Sequence, residues 1–585
     1  MTSQADPPSD ADPESDLVLR VLSALLREDV VGLRTRAVPV ERPDGAWLRL
    51  AAGDEDALLL PVAEDGFQCE RAARLPLLRQ ESDGRELTTA DDILAALRPL
   101  AEPADRGGFD AFADECRQTL ATLRLHDATE AEVVEALVTG HGADPAYWTG
   151  LAGGLAHDAL AARHDHPVYP TARGRQGLAA DQLRRYAPEF HPRFALRWLA
   201  LPKEAVAVHG SLRLAQPSQV GVPGVDDSHV ALPVHPLSVG AALHDALRAT
   251  GLDGRAILAD RPCLDVVPTL SMRTVALAER PGVHLKLPLA TATLGRLNRR
   301  TIKPGTLVDG AAGQRLLETV IAREPRFQGR VLHADETRFA HAGHELLAVL
   351  QRRYPAGLDG AVVVPMAALL SRSPDGRMVV DRLADRFYGG DPLALLDAVL
   401  TLLFDWQTTL FRYGVALESH QQNVSLVLDE EVGRPRLRLL LKDNDGPRVN
   451  TARLREALGA DAPDLAAFDD ARILGDHDQP VVDLFTAVTV HLCAGAYAFG
   501  LARRGRAPLE RLLRLVRDRL ADAVERLGTQ PGAPGAVLRE HVLDAARLPV
   551  KAMVTAGTLL AKNRSGASDI NKHYTTGPNY LLREA

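Results

Sequence analysis

The stretch that most constrains the fold is "ESHQQNVSLVLDEEVGRPRLRLLLKDNDG", running from Glu418 to Gly446. Its two apolar runs, "VSLVLDE" and "RLRLLLKD", read as strands joined by a turn at Gly433–Pro435, an antiparallel hairpin. The polar residues stand at the strand ends rather than across the turn. Glu418, His420, Gln422 and Asn423 lead in, and Lys442, Asp443 and Asp445 lead out. In an extended segment the alternate spacing points Glu418, His420 and Gln422 the same way. Antiparallel pairing then brings both groups together. Carboxylate and amide oxygens at that place suit magnesium, which takes hard oxygen ligands and phosphate co-ligands. His420 and Lys442 would face developing phosphate charge. The plain alternative is an exposed hairpin whose polar ends cap it.

Matching anion-binding groups occur upstream. "PTLSMRTVAL" reads as a strand with Ser271 and Arg273 on one face and Thr269 alongside. "VHLKLPL" holds Lys286 alone in an apolar strand, where a buried ammonium is costly unless it meets an anion or carboxylate. Arg296, Arg299, Arg300 and Lys303 then crowd together although the chain carries a formal charge of -9. The plain alternative there is a solvated basic loop. No GxxxxGK[ST], no GxGxxG after a strand and no GxSxG occurs. "HAGHE" (341–345) matches neither zinc-helix order and reads as a surface helix.

With 585 residues, 46% of them hydrophobic, the chain has material for several cores. Its acidity argues against non-specific binding to nucleic acid or an anionic membrane. Cys69, Cys116, Cys263 and Cys493 lie far apart, which suits reduced thiols rather than a disulfide framework. The acidic, Pro- and Ser-rich residues 1–16 read as a disordered tail without the features of a signal peptide. No run is expected to approach the roughly 20 apolar residues of a membrane span. These features predict a cytoplasmic protein.

The texture predicts helices over 17–35 and 92–140, with paired strands between them in "AWLRLAAGDEDALLLPVA". A mostly β segment follows over about 190–300. Helices return beyond about 385. In "DPLALLDAVLTLLFDWQTTLFRYG", Asp391 suits the N-cap, Pro392 the first turn and Gly414 the stop. The expected fold class is mixed α/β (α+β) with three lobes. They cover 17–160 (helical), 161–385 (β-rich) and 386–585 (helix, hairpin, helices).

These residues resemble the NRPS-independent siderophore synthetases, the aerobactin-synthetase-like IucA/IucC family. "ESHQQN" resembles the family's E-x-H-x-Q-N, and "HDHPVYPTARGRQGL" (164–178) its GHPxHPxxKxRxG. "YAPEF" (186–190), "LPVHPLS" (232–238), "PTLSMRT" (268–274), "HLKLPLAT" (284–291), "KDNDG" (442–446) and "LPVKAMV" (548–554) follow in family order, the last resembling a late Lys-containing helix. The chain departs from the family at Tyr169 (for His), Arg173 (for Lys), Leu237 and Ser238 (for Trp-Gln) and Lys442 (for Arg).

The resemblance implies a cupped hand of thumb, fingers and palm, a homodimer, and a reaction using ATP and Mg2+. A carboxylate of citrate or a related acid is adenylated, and an amine or hydroxyl then displaces AMP to give an amide or ester. It implies catalytic roles for His166, Ser271, Arg273, Lys286, Arg300 and His420. ATP would be bound by Ser271, Arg273, Lys286, Arg299, Arg300, His420, Gln422, Asn423 and Asp443. The metal would be held by Glu418, Gln422 and Asp443, and the acid by His166, Tyr169, Arg173, Arg175 and Arg273. Tyr169 would offer the acid a hydroxyl in place of an imidazole, favouring an acid with fewer free carboxylates. Two other readings are a kinase-like phosphotransferase and a family member that binds ligand without turnover.

Overall fold

A computed structural model describes residues 12–53, 56–561, 564 and 573–583. Residues 1–11 of the expected tail lie outside the described residues. Residues 13–16 do not belong to a tail: they open the helix Pro13–Arg27, with Pro13 at its start and the Asp12 carboxylate accepting from Ser15 N.

The fold is mixed α/β. Near the N-terminus a six-stranded sheet contains the expected pair, Gly45–Ala51 against Ala57–Glu64, flanked by the helices Pro13–Arg27 and Arg106–His141. The β-rich middle forms a nine-stranded sheet whose central strands are Phe194–Pro202, Cys263–Pro268, Thr274–Leu277, Arg280–Lys286, Ala348–Arg353 and Asp335–His341. The "HAGHE" segment is the turn joining the last two strands, not a surface helix.

The helix Pro392–Arg412 forms as its punctuation predicts. The Asp391 side chain accepts from Leu393 N at 2.8 Å, and Leu396, Leu400, Leu403 and Leu410 are buried. Gly414 then takes φ +72, and a Cβ there would meet Asn450 O at 2.6 Å. Only glycine combines that backbone with that approach.

The hairpin pairs Val424–Glu431 with Arg434–Leu441 in the register Val424↔Leu441. Its turn is Val432–Gly433, both at positive φ, and Pro435 already pairs with Glu430. Two strands from the preceding segment, Val331–His333 and Val362–Pro365, flank the hairpin in a four-stranded sheet. One main core joins the N-terminal helices to the C-terminal half, while the nine-stranded sheet has a core of its own.

Two helices, Pro392–Arg412 and Gln479–Arg503, correct the expectation that no segment reaches spanning length and hydropathy. Their apolar stretches are 67% and 100% buried inside the protein, as core helices are. The C-terminal "LPVKAMV" enters as the strand Arg547–Lys551, paired with Tyr574–Pro578, rather than as a helix. The four cysteines are unpaired.

Candidate active site

The register of the hairpin delivers its two polar ends to one place. Lys442 N donates to Asn423 O at 3.1 Å, and Glu418 lies against the Asp443–Gly446 turn: a Cβ on Gly446 would sit 3.4 Å from its carboxylate. The entry segment is not extended, however. His420 O accepts from Asn423 N at 2.8 Å and Val424 N at 3.2 Å, closing a turn. Asn423 Nδ2 donates back to Glu418 O at 3.0 Å. Such side-chain-to-backbone bonds outcompete a strand. Glu418, His420 and Gln422 therefore do not line up by alternation. The turn is braced from the long buried helix, where Cys493 Sγ donates to Ser419 O at 3.3 Å and Leu492 O accepts from Gln421 Nε2 at 2.5 Å.

The opposing wall is the nine-stranded sheet. Lys286 is 3% exposed, and its Nζ lies 2.5 Å from Asp443 Oδ1 and 3.0 Å from Asp445 Oδ2. The lone lysine thus meets carboxylates, as its apolar strand requires. Asp443 sits at φ +61. It is held there because its N–H donates to both Glu336 carboxylate oxygens, at 3.0 and 3.1 Å. Arg352 bridges Glu336 and, at 3.4 Å, Asp443. Burial pushes the Asp443 carboxyl up, but Lys286 and then Arg352 outweigh it and hold the group well below the usual carboxylate range.

Beside this cluster stand three guanidinium groups. Arg273 Nη1 donates to Thr301 O at 2.6 Å, and Arg300 Nε contacts Thr293 Oγ1. Burial, then the nearby Arg273 and Arg175, push Arg300 down to about 9. Like charges brought this close mark a place prepared for an anion. Ser271 is in the tight turn between Cys263–Pro268 and Thr274–Leu277, not in a continuous strand. Met272 there has φ +61, and Ser271 Oγ accepts from Thr274 N at 3.2 Å.

His420 and His166 are half-buried and neutral. Burial, then Lys551, pushes His420 down to about 4. Burial, then His420, pushes His166 to about 3. His166 Nδ1 accepts from Val168 N and Tyr169 N at 3.3 and 3.0 Å, which leaves the ring proton on Nε2. Gln422 is half-buried, and its side-chain amide makes no hydrogen bond among the described residues.

Three expected residues are placed elsewhere. Arg299 is exposed and lies 3.7 Å from Glu345, so Arg300 is the member of that pair turned toward the site. Arg173 is committed to Asp165 at 3.0 Å. Tyr169 is fully buried, and its hydroxyl donates to Glu115 at 3.1 Å. That leaves no face for an acid, which corrects the idea that Tyr169 reads the substrate. Tyr169→Phe is expected to lower stability by about 1 kcal/mol, the scale of one hydrogen bond, in urea unfolding, and to leave acid preference unchanged.

Sequence reasoning missed Glu336, Arg352, Glu115 and the approach of Lys551 to Glu418, at 3.7 Å. Glu336 and Arg352 are buried charges inside strands, the same signal that exposed Lys286, but polar neighbours hid it.

Magnesium is the cation the resemblance implies. Among the described residues, no three or more His, Cys, Asp or Glu form a closed metal cluster. The site instead offers Glu418 with its carboxylate against the Asp443–Gly446 turn. Asp443 Oδ1 and Asp445 Oδ2 are taken by Lys286, but the other oxygen of each carboxylate is not. A few hard oxygens in an open setting fit an ion that takes most of its ligands from phosphate and water.

Residues 158–371 match the IucA / IucC family, and residues 394–566 match the family described as ferric iron reductase FhuF-like transporter. The chain is 29% identical to aerobactin synthase of Escherichia coli over 48% of this chain and 53% of that protein. It is 23% identical to staphyloferrin B synthase of Staphylococcus aureus over 74% of this chain and 75% of that protein. The match thus spans about half of the first relative and three quarters of the second. Among solved structures, the petrobactin biosynthesis protein AsbB from Bacillus anthracis shares the fold with a TM-score of 0.76 and 17% identity, over 98% of this chain and 96% of that one. ATP-bound aerobactin synthetase IucA from Klebsiella pneumoniae shares it with a TM-score of 0.67 and 18% identity, over 97% and 100%. Residues 158–371 of this chain thus match the IucA / IucC family, and the fold is shared with solved siderophore-synthetase structures.

Proposed function

We propose that this protein is an ATP-dependent siderophore synthetase. It adenylates a carboxylate of citrate, a related polycarboxylic acid or an already conjugated acid, and condenses it with an amine or hydroxyl, releasing AMP and pyrophosphate. The observation that carries this reading is the juxtaposition of the hairpin ends with Lys286, next to the crowded Arg273 and Arg300. A carboxylate is a poor electrophile because its leaving group would be oxide, and adenylation replaces that with AMP. Both reactants are anionic, so cations must gather before they can meet. Lys286, Arg273 and Arg300 hold and orient phosphate oxygens, with Ser271 and Asn423 at the edges. His166 and His420, both neutral, hold hydrogen bonds to the acid and phosphate without adding charge. Glu418, with the remaining oxygens of Asp443 and Asp445, would hold magnesium, which supplies charge neutralisation on the triphosphate when bound.

The relatives' names, aerobactin and staphyloferrin synthases, support the product class, and the ATP in the Klebsiella neighbour supports the nucleotide. We infer further a homodimer acting in the cytoplasm on small molecules, without nucleic acid or membrane. The test is a hydroxamate-trapping screen of carboxylic acids with ATP and magnesium. Acid-dependent release of AMP and pyrophosphate is expected. ADP instead would mean phosphotransfer, and no consumption with any acid would mean binding without turnover. Glu418→Gln is expected to lose activity, with partial rescue at high magnesium. Unchanged turnover at limiting magnesium would remove Glu418 from the metal site.

A further inference from the structure

A cavity of about 560 Å3 opens beside the active-site loops. His166 and Gln421 form part of its wall, while Lys286, Arg273, Arg300 and Asp443 do not line it. The first helix, Pro13–Arg27, supplies Arg20 and Arg27 to the cavity, and the end of Ala496–Arg503 supplies Arg503.

Two of these guanidinium groups are matched. Arg20 lies 2.7 Å from Asp165, and Arg503 lies 3.0 Å from Asp65. Arg27 is different. It is 7% exposed, its Nη2 donates to Val168 O at 2.5 Å, and its Nε is buried with no hydrogen-bond partner. Among the described residues it forms no ion pair. The buried Glu28 beside it is the nearest compensating charge, but its carboxylate oxygens accept from Val554 N at 3.1 Å and Thr555 N at 2.8 Å rather than from the guanidinium. A buried guanidinium with no carboxylate in direct contact and one N–H unpartnered is expensive, so a ligand carboxylate that completes its hydrogen bonds gains from the site.

The backbone connects Arg27 to the reacting groups. The carbonyl it holds belongs to Val168, whose own N–H donates to His166 Nδ1. The two groups share a wall, and a ligand in the cavity lies along the part of it that His166 and Gln421 provide.

We propose that this cavity binds a free carboxylate of a substrate, with Arg27 as its ion-pair partner. The guanidinium offers N–H donors in the planar arrangement that a carboxylate matches. The proposal rests on the synthetase reading. Within it the carboxylate has two sources, the acid being activated or the incoming amine.

Glutarate, a plain dicarboxylate, is the binding probe and needs no turnover. Calorimetry is expected to show binding to wild type, at least tenfold weaker binding to Arg27→Gln, and an intermediate value for Arg27→Lys. Equal affinity in wild type and a folded Arg27→Gln, or no binding to wild type, overturns the proposal. Should Arg27→Gln not fold, glutarate soaked into wild-type crystals decides: a carboxylate against Arg27 supports the site, and none there overturns it. Two kinetic arms separate the sources. If the acid supplies the carboxylate, Arg27→Gln raises the KM for citrate at least tenfold in pyrophosphate exchange. If the amine supplies it, exchange is unchanged, while the KM for lysine rises and that for cadaverine, its decarboxylated counterpart, does not. Movement in neither arm overturns the role in turnover. Absence of exchange in wild type with every acid would sink the synthetase reading, and the glutarate result would still decide the cavity.

Discussion

Lys286→Met is expected to reduce kcat/KM for ATP by about 10^2 to 10^3, the loss of roughly 3–4 kcal/mol found when one preorganised electrostatic donor is removed. The lysine is 3% exposed and touches Asp443 and Asp445 at 2.5 and 3.0 Å. Removing it leaves Glu336, Asp443 and Asp445 facing the site with less cationic charge beside them, Arg352 and then Arg273 acting on Asp443. A site meant to receive a triphosphate would then present excess negative charge, and the hairpin turn would lose the anchor that joins it to the sheet. Lys286→Arg keeps the charge but replaces a compact ammonium with a planar fork, so an intermediate loss is expected. Near-normal kinetics of Lys286→Met would show that the contact only fixes the fold. Unfolding measured in parallel separates the two, because breaking one side of a buried ion pair also costs stability, about 3–5 kcal/mol.

The parts of this site that were legible in the sequence are those whose signal is local. An apolar strand with one lysine has few physical solutions, and pairing with carboxylates is the one found. The hairpin register followed from two runs of similar length, which is why Lys442 to Asp445 returned beside Glu418 to Asn423. The turn itself was displaced by a residue. Val432 takes φ +52 and is 97% exposed, a conformation that a β-branched residue seldom adopts, so Gly433–Pro435 looked the better turn.

What was illegible depends on distant partners. Tyr169 packs because Glu115, on a helix far away in sequence, accepts its proton, and Thr171 and Thr558 share that carboxylate. Glu336 and Arg352 pair only because of the register between Asp335–His341 and Ala348–Arg353, which contains an irregularity. No spacing rule in one dimension contains that shift. Contacts between segments distant in sequence are hidden for a related reason. Short strands such as Val331–His333 and Val362–Pro365 cross to the hairpin sheet, which a change in composition along the chain does not reveal.

Stability is expected to fall steeply as pH drops from about 6.5 toward 4, through histidines that the fold keeps neutral. Burial pushes His157, His191 and His491 down to about 4 and His235 to about 3. Their surroundings explain why. His157 donates through Nε2 to Pro145 O at 3.1 Å while its Nδ1 has no partner. His491 lies between Tyr580 and Pro549 O. His235 Nε2 is unpartnered, with the rings of Tyr186 and Phe194 at 5.5 and 5.2 Å. Below the ordinary value of 6.5 the unfolded chain binds protons at these positions and the folded chain does not. The unfolded state then holds more protons, so stability is fully present above that pH and is lost as pH falls. Each histidine contributes at most about 1.4 kcal/mol per pH unit within the window. Four together approach the whole stability of a typical protein over two units. Asp165 and Glu189, held at about 2, lose their stabilisation only below their ordinary range, and Glu28, Glu115 and Asp158, raised by burial, act in the opposite sense and offset part of the fall. Urea unfolding at a series of pH values should therefore show stability dropping before pH 4. His157→Gln, which keeps a donor for Pro145 O, should flatten the slope by up to about 1.4 kcal/mol per unit. A stability that stays level from pH 7 to pH 5 would show that these rings find protonation partners in the folded state after all.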